Sequence, residues 1–149
     1  MAVEFSLPLR VYIEDTDAGG IVYYVNYLKF MERARTEFLR SLGFGREFIF
    51  NRNLMFVVRD VAVNYLRPAR LDDEIEATVS VGELRGASMS LHQAVRRGDE
   101  TLAEGAVTIA CVDRDGVRPR RIPKEISGRL RGTQQNDNHI EQHNDSNGS

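Results

Sequence analysis

The chain has few of the residues that build disulfide-stapled or membrane-spanning proteins. Its 149 residues include one cysteine, no tryptophan and four prolines. The single Cys111 can form no internal disulfide, which is consistent with a reducing compartment, so we expect a cytoplasmic location. The longest uninterrupted apolar runs, such as residues 21–25, are far shorter than the roughly 20 residues of a transmembrane helix. The opening letters, MAVEFSLPLR, lack the apolar stretch of a secretory signal.

An excess of charge of one sign is also missing. The net charge is −2, so the chain lacks the basic surplus with which a general nucleic-acid binder neutralises phosphates. Apolar residues make up 42% and charged residues 28%, which is an ordinary globular composition. We therefore expect one folded domain over residues 1–131. Residues 132–149 contain a single sizeable apolar side chain, Ile140, and are expected to form a disordered polar tail.

Alternating hydrophobicity predicts five β-strands. Residues 5–13 alternate between apolar and polar side chains, and Pro8 places this strand at an edge because proline donates no ladder hydrogen bond. Residues 102–112 are apolar on both faces, as in a covered internal strand. Beyond a loop at 44–54, strands are predicted at 57–65, 75–81, 87–95 and 102–112.

One long helix is predicted between the first two strands. Apolar side chains recur at helical spacing from Tyr27 to Leu42, and Gly43 is a natural stop. The helix begins either after Asn26 or a few residues earlier, inside residues 21–25. The element order predicts an α+β fold, with one long helix packed against an antiparallel sheet of about five strands.

The most unusual segment lies just before this helix and reads EDTDAGGIV over residues 14–22. Asp15 and Asp17 precede two glycines, which let a backbone approach a ligand closely. A helix N-terminus offers free N–H groups and the positive end of a dipole. A carboxylate facing such donors can attack a carbonyl or activate water while the N–H groups hold the oxyanion. Both aspartates also suit a turn, so spacing alone leaves the two interpretations open.

Residues 17–27, DAGGIVYYVNY, resemble a family signature. They are similar to the signature of hotdog-fold thioesterases of the 4-hydroxybenzoyl-CoA thioesterase group, and within it to the acyl-CoA thioesterases associated with the Tol–Pal system. The resemblance continues through residues 32–35, 67–73 and 119–123, and it covers about residues 5–127. It implies one long helix wrapped by an antiparallel sheet. It also implies that two such sheets pair in a homodimer or homotetramer.

The resemblance further implies which residues act. The family's catalytic carboxylate falls on Asp17, as nucleophile or general base, and the backbone N–H that polarises the thioester carbonyl falls on Tyr24. Many relatives in the Tol–Pal group carry histidine at the Tyr24 position, and we expect the main-chain N–H to be the group that matters. The implied reaction hydrolyses an acyl-CoA to free acid and CoA. The alternative is a non-catalytic module that binds an acyl group or an acyl carrier protein. Further residues expected to bind substrate are Gly20, Val22, Tyr23 and Tyr27.

Several other side chains receive structural interpretations. Asp15 is expected to bond its own turn rather than to react. Tyrosines suit a core in which their hydroxyls find partners, although two of them are also candidates for an acyl pocket. These tyrosines are Tyr12, Tyr23, Tyr27 and Tyr65.

The histidines argue against rival chemistries. His92 lies on a predicted strand, and His139 and His143 lie in the polar tail. A hotdog hydratase needs a histidine beside an acid near the helix start, so that interpretation is disfavoured. The chain contains no HExxH, CxxC or GxSxG motif, and we expect neither a metal nor another cofactor.

Residues 114–131 hold seven basic and two acidic residues. Such a segment is either a solvated basic face or a docking site for anions. The anions considered are the phosphates of CoA and an acidic acyl carrier protein. Arg120 and Arg121 are the candidate phosphate ligands.

Overall fold

A computed structural model describes residues 3–134 of the chain. In this part the elements follow one another in the order that the hydrophobic pattern predicts, with two short helices added. A 3₁₀ turn, Ile13–Asp15, follows the first strand. The strands and helices are β1 (Phe5–Arg10), α1 (Tyr24–Ser41), α2 (Arg46–Asn51), β2 (Leu54–Tyr65), β3 (Glu74–Leu84), β4 (Ser88–Arg97), β5 (Glu100–Asp113) and α3 (residues 124–134).

The described residues form one five-stranded antiparallel sheet in the order β1-β3-β4-β5-β2. The edge position predicted for the strand with Pro8 is confirmed, because β1 pairs only with β3. β5 lies between β4 and β2, as its two apolar faces indicate. The α+β fold with one long helix against about five strands is thus confirmed.

Helix α1 packs its apolar stripe against one face of the sheet. Phe30, Met31 and Ala34 are fully buried, because helical spacing places them on the same side as Tyr27 and Phe38. The facing strand residues alternate in and out of the sheet, so every second side chain reaches the core. The inward residues of β3 and β4 include Ile75, Ala77, Val79, Leu91 and Val95.

Three local predictions differ from the structure. The strand predicted to Ile13 ends at Arg10, whereas the helix begins at Tyr24, within residues 21–25, as the earlier of its two predicted starts has it. The loop predicted at 44–54 contains α2, which is held by the packing of the Phe48 ring against Phe44. Helix α3 was not predicted, because its two buried apolar side chains, Ile126 and Leu130, are separated by polar and charged residues and a glycine. Ile122, just before the helix, is buried as well.

The predicted domain boundary falls inside α3. This helix continues through residue 134, where the Gln134 side chain donates a hydrogen bond to the Gly82 carbonyl. The remainder of the predicted tail, with His139, Ile140 and His143, lies outside the described residues. None of the helices in residues 3–134 is long and apolar enough to cross a membrane.

Candidate active site

Asp17 sits in a tight hairpin formed by residues 16–22. The Asp17 N–H donates to the Ile21 carbonyl at 2.9 Å, and the Gly20 N–H donates to the Asp17 carbonyl at 3.1 Å. Gly20 has φ of 76°, a left-handed conformation that glycine adopts without steric cost. Gly20, three positions after the aspartate, is therefore required by the turn itself.

The Asp17 carboxylate is exposed and bonded through one oxygen only. Its Oδ1 accepts the Gly19 N–H at 2.8 Å and the Ile21 N–H at 3.4 Å. Within the described residues, no donor bonds its Oδ2. The two interpretations of this aspartate are therefore compatible, because Oδ1 holds the turn while Oδ2 remains open to a reacting group.

Asp15 is buried and has both carboxylate oxygens paired. Oδ2 accepts the Tyr12 N–H at 2.9 Å, and Oδ1 accepts the Asn26 side-chain amide at 2.9 Å. The Asp15 carbonyl also accepts the Tyr23 N–H at 3.0 Å. This aspartate consequently ties the hairpin to the first turn of α1, in agreement with its predicted structural role.

The start of α1 presents unpaired donors beside this hairpin. Tyr23 is the N-cap and its side chain makes no capping bond. Among the described residues, nothing accepts a hydrogen bond from the Tyr24 or Val25 N–H, as is usual for the first turn of a helix. These donors carry the positive end of the helix dipole, so they favour an anionic oxygen.

A second chain segment, residues 66–73, fixes the hairpin from the other side. The Val22 N–H donates to the Ala69 carbonyl at 2.9 Å, and the Leu71 N–H donates to the Gly20 carbonyl at 3.0 Å. The buried Tyr27 hydroxyl accepts the Ala69 N–H at 2.9 Å. This segment is part of the sequence resemblance, and its hydrogen bonds to the hairpin explain why the site depends on it.

Tyrosine rings surround the helix start. Tyr24 lies 4.8 Å from Tyr23 and 6.0 Å from Tyr65 between ring centroids, and Tyr27 lies 5.4 Å from Tyr65. The hydrogen bond with Tyr24 raises the pKa of Tyr23. The pKa of Tyr65 is raised mainly by partial burial, and to a smaller extent by the neighbouring phenols of Tyr24 and Tyr27. These two hydroxyls therefore stay protonated at neutral pH. The expectation that the tyrosines are core residues holds for Tyr27 and is wrong for Tyr12, Tyr23 and Tyr65, which are exposed.

An apolar groove of about 190 Å³ runs from the first turn of α1 along the inner face of β2. We call it the α1–β2 groove. Arg35 lies in it and donates to the Gln93 side chain at 2.9 Å. The sequence analysis did not identify this groove, because it joins side chains from separate elements. Its apolar lining residues are Val25, Leu28, Met31, Val58, Val61 and Val107.

The two candidate phosphate ligands lie far from Asp17 of the same chain. The hairpin with Asp17 is hydrogen-bonded to the segment that precedes β3, whereas Arg121 lies beside the turn that follows β3. The eleven residues of β3 lie between these two places and span roughly 35 Å. The Arg120 guanidinium donates a hydrogen bond to the Arg52 carbonyl at 2.6 Å and lies 3.5 Å from the Asp113 carboxylate. Arg121 lines a cleft of about 350 Å³, here called the basic groove, together with Arg85, Lys124 and Arg131.

No group of histidine, cysteine, aspartate and glutamate side chains within residues 3–134 is suited to hold a metal ion. His92 is exposed on β4, where it pairs with Ser80 and Ala106 across the sheet, away from the helix start. The described residues thus place a carboxylate and free helix N–H groups together, without a histidine beside them.

Comparison with known proteins gives consistent matches. The thioesterase superfamily model matches residues 19–104. The acyl-CoA thioesterase YbgC of Haemophilus influenzae is 44% identical over 123 residues, which cover 82% of this chain and 90% of that protein. The acyl-CoA thioester hydrolase YbgC of Escherichia coli is also 44% identical, over 82% of this chain and 92% of its own. The crystal structure of a probable thioesterase from Bartonella henselae has a TM-score of 0.78 and 35% identity, covering 81% of this chain and all of the other.

Proposed function

The chain belongs to the thioesterase superfamily and is a thioester hydrolase, and we propose that it cleaves acyl-CoA with Asp17 as the catalytic carboxylate. The observation that carries this proposal is the open Oδ2 of Asp17 in the hairpin that leads directly into α1, together with the unpaired N–H groups of Tyr24 and Val25 in the first turn of that helix. The similarity to proteins named acyl-CoA thioesterases supports the substrate class. The resemblance to hotdog-fold thioesterases, including the Tol–Pal group, is confirmed by the same matches.

In the proposed reaction, the thioester carbonyl oxygen accepts the Tyr24 N–H at the helix start. Asp17 then either attacks the carbonyl carbon, giving an anhydride that water hydrolyses, or removes a proton from an attacking water. In both routes the carbon–sulfur bond breaks and CoA leaves as the thiolate, which takes a proton from solvent in the first route and from the protonated Asp17 in the second. The N–H donors lower the barrier because the carbonyl oxygen gains negative charge in the transition state. Tyr24 contributes through its main chain, so its side chain need not be histidine.

Replacing Asp17 by asparagine tests this assignment. An asparagine keeps an Oδ1 acceptor for the Gly19 and Ile21 N–H groups, so the hairpin and the melting temperature should be little changed. Hydrolysis of acyl-CoA should fall by about 100-fold or more, because the nucleophile or base is lost. The matched control is Asp99→Asn, an exposed carboxylate in the turn between β4 and β5, which should leave the rate unchanged.

Full activity of the Asp17→Asn variant would show that the residue assignment is wrong. A wild-type protein that binds acyl-CoA tightly but releases no thiol would favour the alternative, a non-catalytic binding module. Thiol release is followed with a thiol-trapping reagent, and binding is measured by calorimetry.

We also propose that two copies pair through β2. This twelve-residue strand pairs with β5 on one side and, within the described residues, with nothing on the other. Val58 is 50% exposed and Val61 41% exposed on the face that looks towards α1. A long, apolar, unpaired edge is a ready template for another strand. A homodimer, or a homotetramer built from it, would cover this edge.

Antiparallel pairing of β2 with its copy would also join the two ends of the proposed site. It would lay the Tyr65 end of one strand beside the Leu54 end of the other. Arg120 lies next to Leu54, where it bonds the Arg52 and Asn53 carbonyls, so the partner's basic segment would approach Asp17. In this arrangement Arg120 and Arg121 of the second copy bind CoA phosphates. An acyl carrier protein, which is acidic, would meet the same surface.

A further inference from the structure

The segment that fixes the hairpin with Asp17 is itself fixed by an ion pair. Residues 70–73 form a tight turn, in which the Asp73 N–H donates to the Arg70 carbonyl at 3.0 Å. The Asp73 carboxylate closes the same turn, because its Oδ2 accepts the Arg70 N–H at 2.8 Å. Arg97, the last residue of β4, donates to this same Oδ2 at 2.5 Å. One carboxylate oxygen therefore joins the turn to the sheet.

This turn contacts the hairpin through its backbone. The Leu71 N–H donates to the Gly20 carbonyl at 3.0 Å, and the Ala69 carbonyl just before the turn accepts the Val22 N–H at 2.9 Å. Asp72, in the middle of the turn, has φ of 69°, a left-handed conformation that costs a residue with a side chain free energy. Such a conformation persists only where surrounding bonds enforce it. The shape of the turn, and with it the seat of the hairpin, thus depends on the bonds that close it.

Arg97 connects the turn to two other parts of the chain. Its Nε and Nη2 donate to Glu100 Oε1 on β5 at 3.2 and 2.5 Å. Its Nη1 donates to Asp73 and, at 3.4 Å, to the Pro68 carbonyl. The planar guanidinium can reach these acceptors at once, because its N–H groups point in several fixed directions. The β4–β5 end of the sheet therefore fixes residues 66–73 at two points.

The Asp73–Arg97 pair is partly withdrawn from water. The two side chains are 22% and 31% exposed. Burial alone would raise the pKa of Asp73, but the hydrogen bonds from the Arg70 N–H and from Arg97 outweigh it, so this pKa lies below its ordinary value. The hydrogen bonds to Glu100 and Asp73 raise the pKa of Arg97. Both partners consequently carry their charges at neutral pH.

The preceding residue of β4 forms a second ion pair that serves as a comparison. Arg96 donates to both carboxylate oxygens of Glu4, at 2.8 and 3.1 Å, and the two side chains are 36% and 39% exposed. This pair joins β4 to the residue before β1, and its bonds include neither the hairpin nor residues 66–73. The two pairs thus resemble each other in chemistry and exposure, and they differ in what they hold.

We propose that Arg97 and Asp73 are positioning residues for the hydrolysis, because they fix the turn at 70–73 and through it the hairpin that presents Asp17 at the start of α1. This inference rests on the proposed role of Asp17. Neither residue takes part in breaking the thioester. Loss of the pair lowers the fraction of time that Asp17 spends in its reacting position, so it lowers kcat and leaves KM nearly unchanged.

The first test compares Arg97→Met with the matched control Arg96→Met. The substrate is whichever of butanoyl-CoA, octanoyl-CoA and palmitoyl-CoA the wild-type protein hydrolyses fastest, and circular dichroism confirms that each variant is folded at the assay temperature. Arg97→Met should lower kcat by about 10- to 100-fold, because small misplacements of reacting groups have effects of this size. Its KM should change by less than about threefold. Arg96→Met should keep the wild-type kcat and KM.

Hydrogen exchange separates a local effect on the hairpin from a general loss of stability. In Arg97→Met, peptides covering residues 16–22 and 66–73 should exchange faster than in the wild-type protein, because the bonds between these segments open more often. Peptides from β3 should exchange at the wild-type rate. In Arg96→Met, exchange in residues 16–22 and 66–73 should not change.

Asp73→Asn is the second variant and covers the case in which the methionine variant does not fold. Asparagine keeps an oxygen for the Arg70 N–H but removes the charge, so we expect a smaller fall in kcat, of about 3- to 10-fold. A wild-type kcat in either folded variant overturns the inference.

Three further results would also overturn it: an equal loss of kcat in Arg96→Met, faster exchange throughout the sheet, or failure of both variants to fold. Each would show that the pair supports the fold as a whole. A large loss of activity in Asp17→Asn without one in Arg97→Met contradicts this inference alone. Full activity of Asp17→Asn contradicts the proposed function.

Discussion

Replacing Asp15 by alanine should destabilise the fold strongly, although the residue lies two positions from the proposed catalytic carboxylate. The substitution removes both acceptors and leaves the Tyr12 N–H and the Asn26 amide without partners. An unsatisfied buried donor costs about 1–3 kcal/mol, and the Tyr12 N–H is only partly buried, so the expected loss is about 2–4 kcal/mol. For a chain of this size, that lowers the Tm by roughly 5–15 °C.

Urea unfolding at constant m-value measures this loss, and Asp99→Ala in the exposed turn between β4 and β5 is the matched control. A double-mutant cycle with Asn26→Ala isolates the side-chain pair, for which we expect a coupling of about 1 kcal/mol or more. A loss below about 1 kcal/mol for Asp15→Ala, or strictly additive variants, would refute the assignment of Asp15 as the tie between hairpin and helix.

Three further outcomes are expected. Light scattering at micromolar concentration should give a dimer or larger, and a monomer would contradict pairing through β2. Rising salt should increase KM for an acyl-CoA but not for the matching thioester of bare pantetheine, because only the first carries phosphates for Arg120 and Arg121; equal sensitivity would remove both arginines from substrate binding. Deletion of residues 135–149 should leave the Tm and the rate unchanged, since their composition offers almost no apolar surface for docking; a fall in either would give the segment a role in the fold or the site.

Local sequence patterns predicted most of the fold because the elements are long and regular. Twelve-residue and fourteen-residue strands repeat the two-residue period many times, and α1 repeats its helical spacing over eighteen residues. Helix α2 has only six residues, which is too short for the helical spacing of apolar side chains to be recognised in the sequence. The start of α1 was predicted only to within a few residues, because Tyr24 is exposed and adds nothing to the apolar stripe.

The candidate site was predictable only where its parts are neighbours along the chain. Asp17 and the Tyr24 N–H are seven positions apart, so one segment contains both the carboxylate and the helix start. The Tyr27 hydroxyl and the Ala69 N–H are 42 positions apart, and Arg35 and Gln93 are 58 apart. Such pairs follow from strand order and packing, which a local pattern does not contain.

The basic segment shows most clearly where charge patterns stop being informative. The pattern identifies residues 114–131 as cationic but does not say which arginines are free. In the structure, Arg114 stacks on Phe50 and bonds the Leu54 carbonyl, and Arg120 bonds the Arg52 carbonyl, whereas Arg121 faces the basic groove. Since that groove is a strand length away from Asp17, a substrate that touches both within one subunit would have to span roughly 35 Å. Pairing of β2 strands shortens this path, and the salt comparison therefore tests the proposed assembly as well as the proposed phosphate ligands.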